Sequence, residues 1–206
     1  MLSVVDVDFH FPDGKRMWPP LSFTLYRGQR IALVGPNGCG KSTLLKILAG
    51  RLEKTGGSFS AGSLVRMGFF SQHQLETLNA QGTVLGEIRR LSDPRTTEEE
   101  LMSVLGLFLL GQQYFDRPVS TLSGGEKSRL VLATLFLARC NFLVLDEPTT
   151  HLDLESREAL ISALEAFEGA VLMVAHDRRL LSAVAEQAWA LSETGITVYE
   201  NGFEEY

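Results

Sequence analysis

The stretch Arg30-Ile-Ala-Leu-Val-Gly-Pro-Asn-Gly-Cys-Gly-Lys-Ser-Thr43 decides the fold. Its first five residues are a short apolar run with β-branched members, suited to a buried strand. Gly35, Gly38 and Gly40 then let the chain turn tightly and aim successive N–H groups at an anion. The following Ser42-Thr-Leu-Leu-Lys-Ile-Leu-Ala49 has apolar residues at 44, 45, 47 and 48, the spacing of a helix whose positive end faces the same point. Strand, glycine loop and helix in this order predict a phosphate-binding loop, with Gly35, Asn37, Gly38, Cys39, Gly40, Lys41, Ser42 and Thr43 around the phosphates of a nucleotide. Lys41 is expected to reach the β- and γ-phosphates, and the Ser42 hydroxyl to hold Mg²⁺. A glycine-rich turn without a ligand is the competing reading, and the flanking strand and helix argue against it.

A second apolar run, Phe142-Leu-Val-Leu145, ends in Asp146-Glu147-Pro148, which puts two carboxylates at a strand's C-terminal end. Neighbours in a strand point to opposite faces, so the two cannot share a role. Asp146 fits a Mg²⁺ shell, directly or through water, and Glu147 can orient or deprotonate an attacking water. Alone, such a pair is more often a solvated turn; after a phosphate loop it gains weight. A third run, Ala170-Val-Leu-Met-Val174, leads to Ala175-His176-Asp177 and sets His176 to contact the γ-phosphate, although a lone histidine is more often a core or surface group. In Phe69-Phe-Ser-Gln-His-Gln74, Gln72 could place its amide on Mg²⁺ or the attacking water, with Gln74 a rival and a polar loop the bland alternative.

The chain of 206 residues, 45% hydrophobic, is long enough for one sizeable core. An α/β domain with a small helical lobe over about residues 83–140 fits, and Thr97-Glu-Glu-Glu100 reads as a helix start within that lobe. The apolar stretches 104–110 and 130–138 are too short to span a bilayer, and the first residues lack a charged-then-apolar secretion signal. A cytoplasmic protein without membrane insertion is expected. A net charge of −6 argues against a general nucleic-acid binder, and two cysteines are too few for a disulfide framework.

The phosphate loop, Gln72, Leu122-Ser-Gly-Gly-Glu126, Asp146-Glu147, Leu152-Asp153 and His176 occur in the order found in ATP-binding-cassette ATPase domains, which the whole chain resembles. It looks most like the ABC-F branch, through Ser123-Gly-Gly-Glu-Lys-Ser-Arg129, Asp146-Glu-Pro-Thr-Thr-His-Leu-Asp153, His176-Asp-Arg178 and Tyr199-Glu-Asn-Gly-Phe-Glu-Glu-Tyr206. Thr150 stands where that branch usually has Asn, and Ala175 where Ser is commoner. The resemblance implies a P-loop NTPase core with a mostly parallel sheet, an N-terminal antiparallel portion and a helical signature lobe. It further implies head-to-tail pairing of two cassettes around two ATP molecules. Ser123, Gly124, Gly125 and Glu126 would then face the partner's ATP from the start of a helix over 126–139, and Asp153 would lie in the loop crossing between partners. Phe11 is the candidate to stack on adenine, after an alternating strand Val5-Asp-Val-Asp-Phe9; an ordinary strand-end aromatic is the alternative.

One cassette is present, resembling the second of a twin-cassette protein, so the chain reads as an excised domain or a half-unit that homodimerises. The resemblance suggests ATP hydrolysis serving a translation or antibiotic-resistance factor on the ribosome. The ATPase subunit of an ABC membrane transporter is the alternative, and a non-hydrolysing ATP-binding module is a third reading that Glu147 and His176 oppose. Cys39 lies inside the loop beside Lys41 and a helix N-terminus, surroundings that favour thiol reactivity. Alkylation of Cys39 should block ATP binding, and bound ATP should protect it; unchanged nucleotide binding by fully alkylated protein, measured by mass spectrometry and titration together, would refute this.

Overall fold

The computed structural model describes residues 1–205, except the side chains of Gln72 and Glu205; Tyr206, the last letter of the terminal motif, lies outside them. Its strands are β1 (Leu2–Asp8), β2 (Leu21–Leu25), β3 (Arg30–Val34), β4 (Gly56–Ala61), β5 (Met67–Phe70), β6 (Phe142–Asp146), β7 (Ala170–Val174), β8 (Gln187–Ser192) and β9 (Gly195–Tyr199). The α-helices are α1 (Lys41–Leu48), α2 (Val84–Leu91), α3 (Glu98–Leu107), α4 (Gly124–Leu137), α5 (Leu154–Glu165) and α6 (Arg178–Val184). The architecture is α/β, with a mostly parallel sheet and an antiparallel N-terminal portion, as the sequence implied. The chain packs into two compact units. The first holds Met1–Phe69, Asn141–Asp146 and the segment from Glu168 onward; the second holds Phe70–Cys140 and Glu147–Phe167.

In the first unit the larger sheet runs β5-β6-β7-β3-β8-β9, parallel from β6 to β8, with β9 returning antiparallel on β8. Every residue of β6 and β7 is buried, which is why both read as continuous apolar runs rather than alternations. The registers Ala32↔Met173 and Asp146↔Val174 align the C-terminal ends of β3, β6 and β7, so the loops after all three leave along one edge. Open α/β sheets bind ligands at such an edge. Leu33, Leu44, Leu45, Val144, Leu172 and Trp189 belong to the core of this unit.

The smaller sheet, β2-β1-β4, is antiparallel. Here the alternating strand expected over residues 5–9 needs correction. Val4 and Val7 are buried while Val5 is 49% exposed, because the register shifts between them and Asp6 takes φ 48. A bulge of this kind flips the inward face by one residue.

The second unit is helical. Val84, Ile88, Leu101, Leu105, Phe108 and Leu130 are buried, and Phe108, Phe136 and Phe167 form a chain of tilted and edge-on rings 5.4 and 5.9 Å apart. Its helix starts are set by caps. Thr97 and Glu100 close a capping box on α3, and Ser123 and Glu126 close a second on α4. The second box corrects the expected helix over 126–139: Ser123 is the cap, so Gly124 and Gly125 lie inside the first turn and the helix runs Gly124–Leu137. Glu87 is buried and charged-paired: its carboxylate accepts from Arg90 Nε at 2.8 Å and from the Asn79 N–H at 2.9 Å, and the Arg90 bond holds its carboxyl below the ordinary range. Among the described residues, no helix is long and apolar enough to cross a membrane.

Two adjacent threonines should behave oppositely. The Thr96 hydroxyl is buried without a hydrogen-bond partner among the described residues, so Thr96→Val should leave thermal stability unchanged or raise it. Thr97→Ala removes the cap of α3 and should cost about 1 kcal/mol, seen as a lower denaturation midpoint.

Candidate functional site

The phosphate loop follows β3 directly. Gly35, Gly38 and Gly40 take φ of 140, 80 and 98, conformations that disfavour any other residue. Two of these positions are also closed by packing. A β-carbon on Gly35 would strike the Leu191 carbonyl, and one on Gly40 would fall within the buried indole of Trp18 and against Met17. Gly38 has open space instead. The loop's Pro36, Asn37 and Gly38 are exposed, whereas Cys39 and Thr43 are half-buried.

Helix α1 begins at Lys41 with Gly40 as its N-cap and no side-chain cap. The five other helices are capped by Thr83, Thr97, Ser123, Asp153 and Asp177. The first amides of α1 are therefore left to an anion rather than to a side chain. Lys41 Nζ donates to the carbonyls of Gly35 and Pro36, each at 2.9 Å, which draws the ammonium over the loop. Lys41, Gly35 and His176 line one cavity of about 150 Å³.

Ser42 Oγ donates to Asp146 Oδ1 at 2.8 Å. A hydroxyl and a carboxylate thus stand side by side, two hard oxygen donors of the kind Mg²⁺ takes. Among the described residues no cluster of three or more His, Cys, Asp or Glu could hold a metal, so a cation here would draw its remaining ligands from phosphate, water or an amide oxygen. The residues present fit Mg²⁺ on those terms.

Glu147 follows Asp146 in the chain with φ 53, a left-handed conformation uncommon for a residue with a side chain and often kept at working sites. Gln72 opens a short 3₁₀ helix, Gln72–Thr77; its side chain lies outside what the structure describes. Phe11 is 38% exposed at a turn and meets Phe9 in an edge-to-face contact at 5.7 Å.

In the second unit, Ser123, Gly124, Gly125, Arg129, His151 and Asp153 line a cavity of about 570 Å³. The two glycines serve different ends. Gly124 has open space at its Cα, while a β-carbon on Gly125 would sit 2.7 Å from the His151 carbonyl. Ser123 Oγ accepts from the Glu126 N–H at 3.2 Å, and Glu126 returns the bond to the Ser123 N–H at 2.7 Å. Burial pushes the Glu126 carboxyl up, but bonds from Ser123 and Tyr114 and the charge of Arg117 outweigh it and hold the group ionised. Asp153 caps α5 through the Ser156 N–H at 2.8 Å, and Ser156 is the main reason its carboxyl lies below the ordinary range, with Arg129 and Arg157 adding their charge.

Sequence reasoning missed Trp18 and Arg129. Trp18 carries no motif, and its contact with Gly40 spans β2, β3 and the turn between them. Arg129 stands out in the sequence only through the family resemblance, although its place one turn beyond Gly125 on a capped helix is a usable signal.

The family model described as ABC transporter matches residues 19–150. "Putative ATP-binding protein YdiF" of Bacillus subtilis is 42% identical over all 206 residues of this chain and 32% of its own length. "Probable ATP-binding protein YheS" of Haemophilus influenzae is 41% identical over 90% of the chain and 29% of its own. The human "ATP-binding cassette sub-family F member 3" is 38% identical over the whole chain and 29% of its own. The chain therefore spans about a third of the length of these relatives. Among solved structures, a dimeric ATP-binding cassette in a post-hydrolysis state with ADP and Pi shares the fold at TM-score 0.81 and 20% identity, covering 97% of this chain and 98% of that one. A putative metal-chelate type ABC transporter, facing inward, matches at TM-score 0.74 and 25% identity over 97% of this chain and 83% of its own.

Gly40→Ala combines a left-handed alanine with overpacking against Trp18 and should destabilise by about 2–5 kcal/mol. Gly38→Ala meets only the backbone strain and should cost about 1–2 kcal/mol. Melting curves and nucleotide titrations of the two variants give the comparison; equal behaviour would mean that Trp18 does not set the loop.

Proposed function

This chain belongs to the ATP-binding-cassette family, with relatives in its F branch, and we propose that it binds Mg-ATP and hydrolyses it as one half of a pair of cassettes. The observation that carries this reading is the Ser42–Asp146 hydrogen bond at the uncapped start of α1. There a pair fit to ligate a metal and helix amides without a side-chain cap meet at the sheet edge. Mg²⁺, when bound, would neutralise charge on the phosphates as it develops.

The chain's own residues do the rest. The amides of Gly38 to Ser42 cradle the phosphates, Lys41 adds its charge, and Asp146 and Ser42 hold the metal's place. Glu147 accepts a proton from, or orients, the attacking water; Gln72 and His176 contact that water and the γ-phosphate. Phe11 stacks on the adenine. Ser123, Gly124, Gly125 and Glu126 face the ATP of a second cassette, either a second copy of this chain or another domain of a longer parent. Asp153 lies at the crossing between them. The sub-family F names among the relatives support a cytoplasmic, ribosome-associated factor for translation or antibiotic resistance. The match to a metal-chelate type transporter keeps the ATPase subunit of a membrane transporter as the second reading.

Glu147→Gln should retain ATP binding, lower turnover at least about 100-fold and trap an ATP-bound dimer visible by light scattering. Turnover at the wild-type rate would remove Glu147 from the role of base. For the biological setting, the same variant in lysate is sedimented through sucrose with ATP. Migration with ribosomes supports the first setting; migration with membranes alone moves the chain to the transporter class.

A further inference from the structure

Two helix starts line the cavity of the second unit. The N-terminal ends of α4, 14 residues long, and α5, 12 residues long, both line it through Gly124 and Ser156. Between them lies Arg129, 9% exposed, on the cavity wall. Its Nε has no hydrogen-bond partner among the described residues, and Nη1 donates only a long 3.4 Å bond to the Leu109 carbonyl. A guanidinium buried this far is costly unless something completes its bonds.

What Arg129 brings to the cavity is its charge. Glu126 and Asp153 bring two carboxylates to the wall, and both are held ionised. The two helix ends return about +0.5 each, so without Arg129 the wall keeps about one negative charge. Arg117, 3.8 Å from Glu126, and Arg157, near Asp153, work from outside the lining; Arg117 is 40% exposed, where solvent screens it. Arg129 is the buried cation of the lining, and it brings the local sum to about zero before its own unsatisfied donor is counted. With the carboxylates offset, the positive ends of the two helices are left to act on an anion in the cavity.

We propose that Arg129 is the positioning residue that lets this cavity accept the terminal phosphate of a nucleotide carried by a second cassette, by cancelling the carboxylates that cap the surrounding helices. This rests on the paired-cassette reading above and assigns within it a residue outside the Ser123-Gly-Gly-Glu126 run. Glu126 then weakens the affinity that Arg129 confers, and the two form an opposed pair on one helix.

The test uses the full chain, tripolyphosphate as the probe and backbone amide NMR as the readout. In the wild type, the amides of Gly124 and Gly125 shift together with a binding curve distinct from that of Gly38 and Gly40. Arg129→Gln should weaken the Gly124–Gly125 response about tenfold and leave the phosphate loop unchanged; Arg129→Lys should restore most of it. Glu126→Gln keeps a capping side chain and should tighten the same response about threefold. A purely structural arginine would move both sets of amides and would not be answered by Glu126→Gln. An unaltered Gly124–Gly125 curve in Arg129→Gln overturns the proposal. Should that variant not fold, Glu126→Gln decides, and no tightening overturns it. A silent phosphate loop in the wild type would instead sink the nucleotide reading itself.

Discussion

A loop that presents backbone amides rather than side chains depends on where its backbone is allowed to lie. Gly35 has no room for a β-carbon because the Leu191 carbonyl stands against it, and Gly40 has none because Trp18 does. Both neighbours belong to the main core of the first unit, in which Trp18, Leu33, Leu44, Leu45 and Leu191 are buried. A loop that carries exposed residues at 36–38 is thereby clamped at each end by a close-packed interior, and interiors of that density resist displacement. The donors keep their geometry without a ligand to impose it, which is the preorganisation that electrostatic catalysis needs.

Capping divides the helices by task. Five begin with a side chain that occupies their first amides, and α1 does not. The distinction is subtle at α4, where Ser123 and Glu126 take two groups but Gly124 still presents open space. One helix start carries no side-chain cap, and the other combines a capping box with open space at Gly124. That combination brings carboxylates close to an anion's path, and Arg129 offsets them.

Much of the first unit was legible because its parallel strands are buried on both faces. Runs such as Phe142–Asp146 and Ala170–Val174 cannot be mistaken for alternating edge strands, and polar residues at or just past their ends, Asp146 and His176, mark where the chain leaves the sheet. The β-bulge at Asp6 was not legible: the letters alternate through it, and only pairing with β2 and β4 turns Val5 outward. The hairpin of β8 and β9 escaped notice too, since Gly195-Ile-Thr-Val-Tyr199 is half exposed and carries little apolar signal. The start of α4 was misread by two residues because glycine lowers helix propensity, while a capping box overrides that penalty. Trp18 and Arg129 show the remaining limit. Their importance comes from what packs beside them, which motif spacing does not encode.

The contact between Gly40 and Trp18 also fixes how the two positions can drift over generations. A smaller side chain at 18 would open the space above Gly40, yet φ 98 would still forbid most replacements there. Freedom therefore runs in one direction. Position 18 can be refilled by another large apolar residue without consulting position 40, whereas position 40 stays glycine whatever lies beneath it. In related sequences the loop should look invariant and its floor variable, and the variable member is the one that holds the invariant member still.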